Sequence, residues 1–278
     1  MIIYEAQTEV RERLEAERAA GRRGAMVGTS GGTHEGHLSL VHRAKQECDH
    51  VAVFWNSALK LEWAPGAVLS YTRDMERDAA LFEAAGVDLF YVPLRHDLCR
   101  RLSATFIAMP GMVAHLDGMP EGANMELLVT MVLTLLNIAG PCTTYFGEKD
   151  WQQLVMFQRM AEDLRLPSRV LGCPMLREPD GVAFSSRNTK LSAEQRAAAP
   201  TLYRGLYAAA EAIKAGERDA KVVTDLVKDL LRPVSSPDYV VAVEADTLRP
   251  LDTLTGEVRL LASATTPLVD NIGVTVPA

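Results

Sequence analysis

Ala25-Met26-Val27-Gly28-Thr29-Ser30-Gly31-Gly32-Thr33-His34-Glu35-Gly36-His37 starts on apolar residues, passes through a turn of glycines and hydroxyls, and ends on two histidines separated by Glu35 and Gly36. The apolar start reads as a short buried strand, and Leu38 to Lys45 carries apolar residues at helix spacing. His50-Val51-Ala52-Val53-Phe54-Trp55 then reads as a second strand, so strand, glycine turn, helix and strand make a βαβ unit. A turn alone needs no imidazoles. Placed at the start of a helix, two imidazoles and the helix amides suit binding a phosphate and stabilising charge that moves onto a leaving group. An ordinary glycine turn with two exposed histidines is the competing reading, and so short a motif does not decide between them.

The same alternation runs onward from this unit. A helical pattern from Thr8 to about Ala20 precedes it; helices over Asp74–Ala85, Met125–Leu136 and Trp151–Leu164 and strands over Leu89–Val92, Thr143–Phe146 and Arg169–Gly172 follow. Elements alternating in this way predict an α/β fold, a Rossmann-like parallel sheet with helices on both faces and ligands at the carboxyl ends of the strands. From Ser192 the pattern changes to an alanine-rich helix, a charged helix around Asp219–Leu231 and short strands such as Tyr239–Val243. The expected division is a nucleotide-binding domain over 1–175 and a smaller C-terminal α+β domain over 176–278.

Composition narrows the function. A chain of 278 residues with 48% hydrophobic and 23% charged residues can bury a sizeable core. A net charge of −7 argues against a general nucleic-acid binder. Cys48, Cys99, Cys142 and Cys173 form no CxxC pair, so buried free thiols are expected rather than a zinc site or a disulfide framework. The N-terminal stretch lacks the charged and apolar regions of a signal peptide, and no apolar run approaches the about 20 residues of a membrane span. A cytoplasmic protein without a membrane partner is the expectation.

Two further clusters bear chemistry. In Arg177-Glu178-Pro179-Asp180-Gly181-Val182-Ala183-Phe184-Ser185-Ser186-Arg187-Asn188, two hydroxyls followed by a planar guanidinium make a polyphosphate grip. In Gly147-Glu148-Lys149-Asp150-Trp151-Gln152-Gln153, a lysine and a carboxylate at a strand end suit a phosphate and a pair of ribose hydroxyls, with glutamines on the first helical turn to orient a polar substrate. Each cluster alone reads equally as a solvated loop or a capped helix. Three in this order are much harder to dismiss.

Together, HEGHLSLV, EAAGVD (Glu83 to Asp88), YFGEKDWQQL, REPDGVAFSSRN and the late PDYV and LVDNI segments resemble the pantothenate synthetase family, within the HxGH nucleotidyltransferase superfamily, over nearly the whole chain. The resemblance implies ATP and Mg2+ and a two-step reaction. A carboxylate attacks the α-phosphate of ATP to give an acyl-adenylate and pyrophosphate, and an amine then displaces AMP. It also implies roles. His34 and His37 contact the phosphates, and Lys149, Ser185, Ser186 and Arg187 grip the rest of the triphosphate. Thr29, Ser30, Gly36, Gly147 and Asp150 complete the ATP site. Asn56, Leu59, Tyr71, Glu121, Asn124 and Gln153 line the substrate pocket, Asp78 anchors the metal, and the chain forms a homodimer.

The departures from the family pattern gather in the substrate pocket. Where the family reads FVNPxQF, this chain reads Phe54-Trp55-Asn56-Ser57-Ala58-Leu59-Lys60, so Leu59 replaces a glutamine that binds the acid. An unpaired hydroxyl in a buried pocket costs about 1–3 kcal/mol. Glu121 and Asn124 stand where the family has an arginine and a histidine, and Arg77, Asp78 and Leu81 replace an acidic pair and a glutamine. The resulting expectation is an ATP-dependent, AMP-forming ligase with an altered pocket, joining a small carboxylic acid to an amine in a specialised biosynthetic pathway. The alternatives are a genuine pantoate–β-alanine ligase and a non-catalytic ATP-binding homologue.

Overall fold

The computed structural model describes residues 1–56, 74–93, 105–113, 125–264 and 268–277. They divide into two compact units, one built from 1–109, 121–148 and 156–174, the other from 110–120, 149–155 and 175–278.

In the first unit, β1 (Ile2–Tyr4), β2 (Gly24–Thr29), β3 (His50–Trp55), β4 (Leu89–Tyr91), β5 (Thr143–Gly147) and β6 (Arg169–Cys173) form a parallel sheet in the order β1-β4-β3-β2-β5-β6. Helices α1 (Gln7–Ala19), α2 (Glu35–Glu47), α3 (Met75–Ala84) and α5 (Met125–Ala139) alternate with the strands; a short α4 (Pro110–Val113) belongs to the second unit. Every residue of β3 is buried, as a central parallel strand covered on both faces requires. Val27, Val41, Val53, Phe82, Phe90 and Tyr145 pack into one core beneath α2 and α3. From β2 the chain winds outward to β3 and β4, and from β5 it winds the other way to β6. The strand order therefore reverses between β2 and β5, the place where open α/β sheets leave a crevice at their carboxyl ends. Thr29 and Gly147, which belong to two of the three clusters, end these two strands.

The second unit holds an antiparallel sheet, β7 (Pro237–Glu244), β8 (Glu257–Ala264) and β9 (Leu268–Thr275), in the order β7-β8-β9. Helices α8 (Pro200–Lys214) and α9 (Ala220–Leu231) bury Leu206, Ile213, Val223 and Val227 together with Leu260 of the sheet, while α7 (Ala193–Ala198) starts on a Ser192/Gln195 capping box. Most of α6 (Trp151–Asp163) belongs to the first unit and its opening turn to the second. A parallel sheet with helices plus a small C-terminal α+β unit is the architecture the sequence pattern predicts. Strand β1 escapes that pattern because three residues on a sheet edge, with Ile2 and Ile3 half exposed, carry no periodic signal.

Among the described residues, no helix is long and apolar enough to cross a membrane. Cys48 and Cys173 are buried free thiols and Cys142 is half-buried with its thiol pushed up to about 11 by burial; Cys99 lies outside the described residues.

His50 opens β3 and is buried, and its Nδ1 has no hydrogen-bond partner among the described residues. Burial holds its pKa below the ordinary imidazole value, against the opposing pull of Asp88 and Glu17. The unfolded chain therefore binds a proton below about pH 6.5 that the folded chain resists. Stability is complete above that pH and falls as pH drops toward the folded pKa. Thermal unfolding should show a lower midpoint at about pH 5.5 than at about pH 7.5, with a smaller difference in His50→Gln. An unchanged difference in the variant would place its origin elsewhere.

Candidate active site

The glycine turn after β2 is held by one carboxylate. Gly31 and Gly32 take φ values of +90° and +70°, which other residues rarely adopt, and a Cβ on Gly31 would lie 3.1 Å from the Trp55 ring nitrogen and 3.3 Å from Asp78. Asp78, on α3, is fully buried. Its Oδ2 accepts the Gly32 amide and the Trp55 Nε1–H, each at 2.9 Å, and its Oδ1 accepts the Thr33 amide at 2.9 Å and Arg77 Nη1 at 3.4 Å. A carboxylate has about four lone-pair sites, so these donors leave no ready place for a cation. Asp78 holds the loop. Among the described residues, no group of three or more His, Cys, Asp or Glu side chains could hold a metal ion.

His34 is the N-cap of α2, with extended backbone, and its Nδ1 accepts the Gly36 amide at 3.1 Å. His37 Nδ1 accepts the His34 amide at 3.4 Å, and the two rings lie 4.1 Å apart. With Nδ1 accepting in both, the proton of each neutral imidazole sits on Nε2. The two imidazoles thus lie side by side at a helix N-terminus. Six of the turn's own amides are already used. Gly31 donates to Thr29 Oγ1, Gly32 and Thr33 to Asp78, His34 and Gly36 to the imidazoles, and His37 to the His34 carbonyl. Where the sequence suggests amides and imidazoles acting together, these six amides are bonded within the protein.

Asn56 follows β3, and its amide donates to the Thr29 carbonyl at 2.7 Å, tying it to the same turn. Its side chain is buried and Oδ1 has no partner among the described residues; Thr33 Oγ1 is in the same position. Buried polar atoms of this kind normally have a partner. Ser30 and Gly36 are half-buried in the same turn, and Gly147 is the last residue of β5.

In the second unit, Lys149 and Asp150 sit on a short 3₁₀ turn (Glu148–Asp150) ahead of α6, Nζ lying 3.6 Å from Asp150 Oδ1. Gln153 is half-buried on the first turn of α6. Ser185 Oγ accepts the Arg187 amide at 3.2 Å, and Asn188 Nδ2 donates to the Ala183 carbonyl and to Glu178, both at 3.0 Å, which gives the serine loop its shape. Ser186 is half-buried and Arg187 exposed. Lys149, Ser185 and Asp270 line one small cleft. Leu59, Tyr71, Glu121 and Asn124 lie outside the described residues. Sequence reasoning misses Asp270 and Asn271 as site residues, although the LVDNI segment that carries them contributes to the family resemblance.

A sequence family described as pantoate-beta-alanine ligase matches residues 2–273. Pantothenate synthetase 1 of Frankia alni is 72% identical over 100% of this chain and 99% of its own length. Pantothenate synthetase 2 of the same organism is 42% identical over 96% of this chain and 83% of its own. Among solved structures, the pantoate–β-alanine ligase of Thermus thermophilus superposes with a TM-score of 0.89 at 35% identity, covering 98% of this chain and 99% of that one. A Francisella tularensis pantoate–β-alanine ligase shares the fold with a TM-score of 0.75 at 22% identity, over 98% and 97%.

Removing the Asp78 carboxylate strands two amides and an indole N–H. Asp78→Ala should lose about 3 kcal/mol in urea unfolding, in chelator as well as in magnesium. A carboxylate that served only a metal would leave the chelated protein's stability unchanged.

Proposed function

The chain belongs to the pantoate–β-alanine ligase family, and from that premise we propose that it joins pantoate to β-alanine with consumption of ATP, through a pantoyl adenylate. The observation that carries the choice of acid is the Frankia alni relative named pantothenate synthetase, 72% identical from end to end. It weighs more than the departures that pointed to another acid, so the genuine ligase, held open as an alternative, is preferred to the altered one.

The proposed chemistry follows from the donors. The pantoate carboxylate attacks the α-phosphorus of ATP, and negative charge grows on the oxygen leaving with pyrophosphate. Such a step needs positioning and charge stabilisation rather than a protein nucleophile. The Nε2–H groups of His34 and His37 supply the stabilisation, and Lys149, Ser185, Ser186 and Arg187 grip the remaining phosphates. Thr29, Ser30 and Gly36 shape the phosphate turn, and Gly147 and Asp150 hold the ribose. Gln153, Tyr71 and Asn56 hold the acid. The unpaired Asn56 Oδ1 fits this reading because it requires a donor, which a hydroxy acid or an amine brings. The β-alanine amine then attacks the acyl carbon, and AMP leaves. Magnesium enters on the ATP phosphates rather than through Asp78. Family membership supports a homodimer, and the need for ATP supports a cytoplasmic setting.

A second reading, adenylation of a different small acid, is favoured only by Leu59, Glu121 and Asn124. Acid-dependent ATP–pyrophosphate exchange with no amine present separates the two. Exchange should be fastest with pantoate, and pantothenate should form once β-alanine is added. Faster exchange with another hydroxy, amino or apolar acid would replace this reading with the second. Under the same conditions His34→Ala and His37→Ala should each slow exchange by about a hundredfold or more.

A further inference from the structure

Two adjacent residues of β9 hold both phosphate-gripping segments of the second unit. Asp270 and Asn271 are almost fully buried. Asp270 takes the Arg177 guanidinium in a two-pronged ion pair, Nη1 to Oδ2 at 2.6 Å and Nη2 to Oδ1 at 2.8 Å. Arg177 also donates to the Gly181 carbonyl at 3.0 Å and lies over the Tyr203 ring at 3.9 Å. It is thereby the root of the turn that leads to Ser185, Ser186 and Arg187. The turn requires glycine at 181, where φ is +95° and a Cβ would come within 2.4 Å of Tyr203.

Asn271 faces the other segment. Its Nδ2 donates to the Lys149 carbonyl at 2.8 Å, while its Oδ1 accepts Arg259 Nε at 2.7 Å. Arg259 stacks on the Trp151 ring at 3.6 Å, and Trp151 Nε1 donates to the Ala245 carbonyl at 2.8 Å. The turn bearing Lys149 is therefore fastened to the sheet that carries Asp270, through the lysine's own carbonyl and through the tryptophan two residues on.

We propose that Asp270 and Asn271 are positioning residues for ATP. By binding the Arg177 root and the Lys149 main chain from neighbouring places on one strand, they fix the distance between Lys149 and the Ser185–Ser186–Arg187 grip. The inference rests on the reading of those residues as a triphosphate site. It goes beyond that reading by giving a role to two residues outside the proposed triphosphate grip.

Asn271→Asp keeps an acceptor for Arg259 and loses the donor to Lys149, and a Lys149→Ala background separates that loss from the effect of the added charge. ATP affinity is read by calorimetry and the KM values by exchange, in the full chain and in a Lys149→Ala background. In the unsubstituted background, Asn271→Asp should weaken ATP binding by about tenfold and move the pantoate KM by less than about twofold. In Lys149→Ala, where the side chain being positioned is gone, the same change should weaken ATP binding by less than about twofold. Equal losses in both backgrounds, or ATP and pantoate moving together, would overturn the proposal. Should Asn271→Asp fail to fold, Asn271→Ser, too short to reach the Lys149 carbonyl, is read by the same criteria. ATP binding without pantoate-dependent exchange in the unsubstituted protein would count against the proposed acid and leave this cycle intact.

Discussion

The buried carboxylate of Asp78 is the constraint on which the HxGH segment depends. A turn with two left-handed glycines has no ladder or helix of its own to hold it. Its amides would otherwise have to be satisfied by solvent or by ligand. Asp78 gathers two of them along with the indole of Trp55, and so fixes the turn before any substrate arrives. An ionised side chain without solvent is tolerable only when it is fully hydrogen-bonded, and four donors meet that condition. The preorganisation has a chemical consequence. On the proposed reading, the two imidazoles at the helix N-terminus then need little rearrangement as charge develops.

The second unit solves a related problem differently. Phosphate-binding lysines and arginines are long and flexible, and ordering them costs entropy. Here the ordering falls on main chain and on roots. Lys149 is held through its carbonyl, and the serine loop through Arg177, while the side-chain tips keep their reach. Binding energy from ATP is then not needed to assemble the grip.

Much of this is legible in the sequence, for identifiable reasons. Strand β3 is a run of mostly apolar and aromatic residues bounded by polar ones, and the helices over Met75–Ala84 and Trp151–Asp163 show clean periodicity, so their existence and order can be read from local spacing. The reversal of strand order can be anticipated only as a consequence of the α/β class. What stays hidden depends on contacts between distant positions. Asp78 reaches the glycine turn across 46 residues and Asn271 reaches Lys149 across 122, and neither has a spacing that would mark it. Asp78 in particular sits beside positions that the family resemblance ties to a metal, so in sequence its acidic side chain reads as a metal anchor. Its burial, invisible in sequence, turns it into a scaffold.

Asn56 connects the scaffold to selectivity. Its amide is bonded to the Thr29 carbonyl, so its place is set by the same turn that sets the histidines. Its Oδ1 is buried without a partner among the described residues, a state that costs about 1–3 kcal/mol until a donor arrives. A site carrying such an atom discriminates strongly against ligands that lack the donor, far more than an apolar wall discriminates between shapes. On the proposed reading, pantoate brings hydroxyl donors, whereas a purely apolar acid of the same size would leave the oxygen stranded.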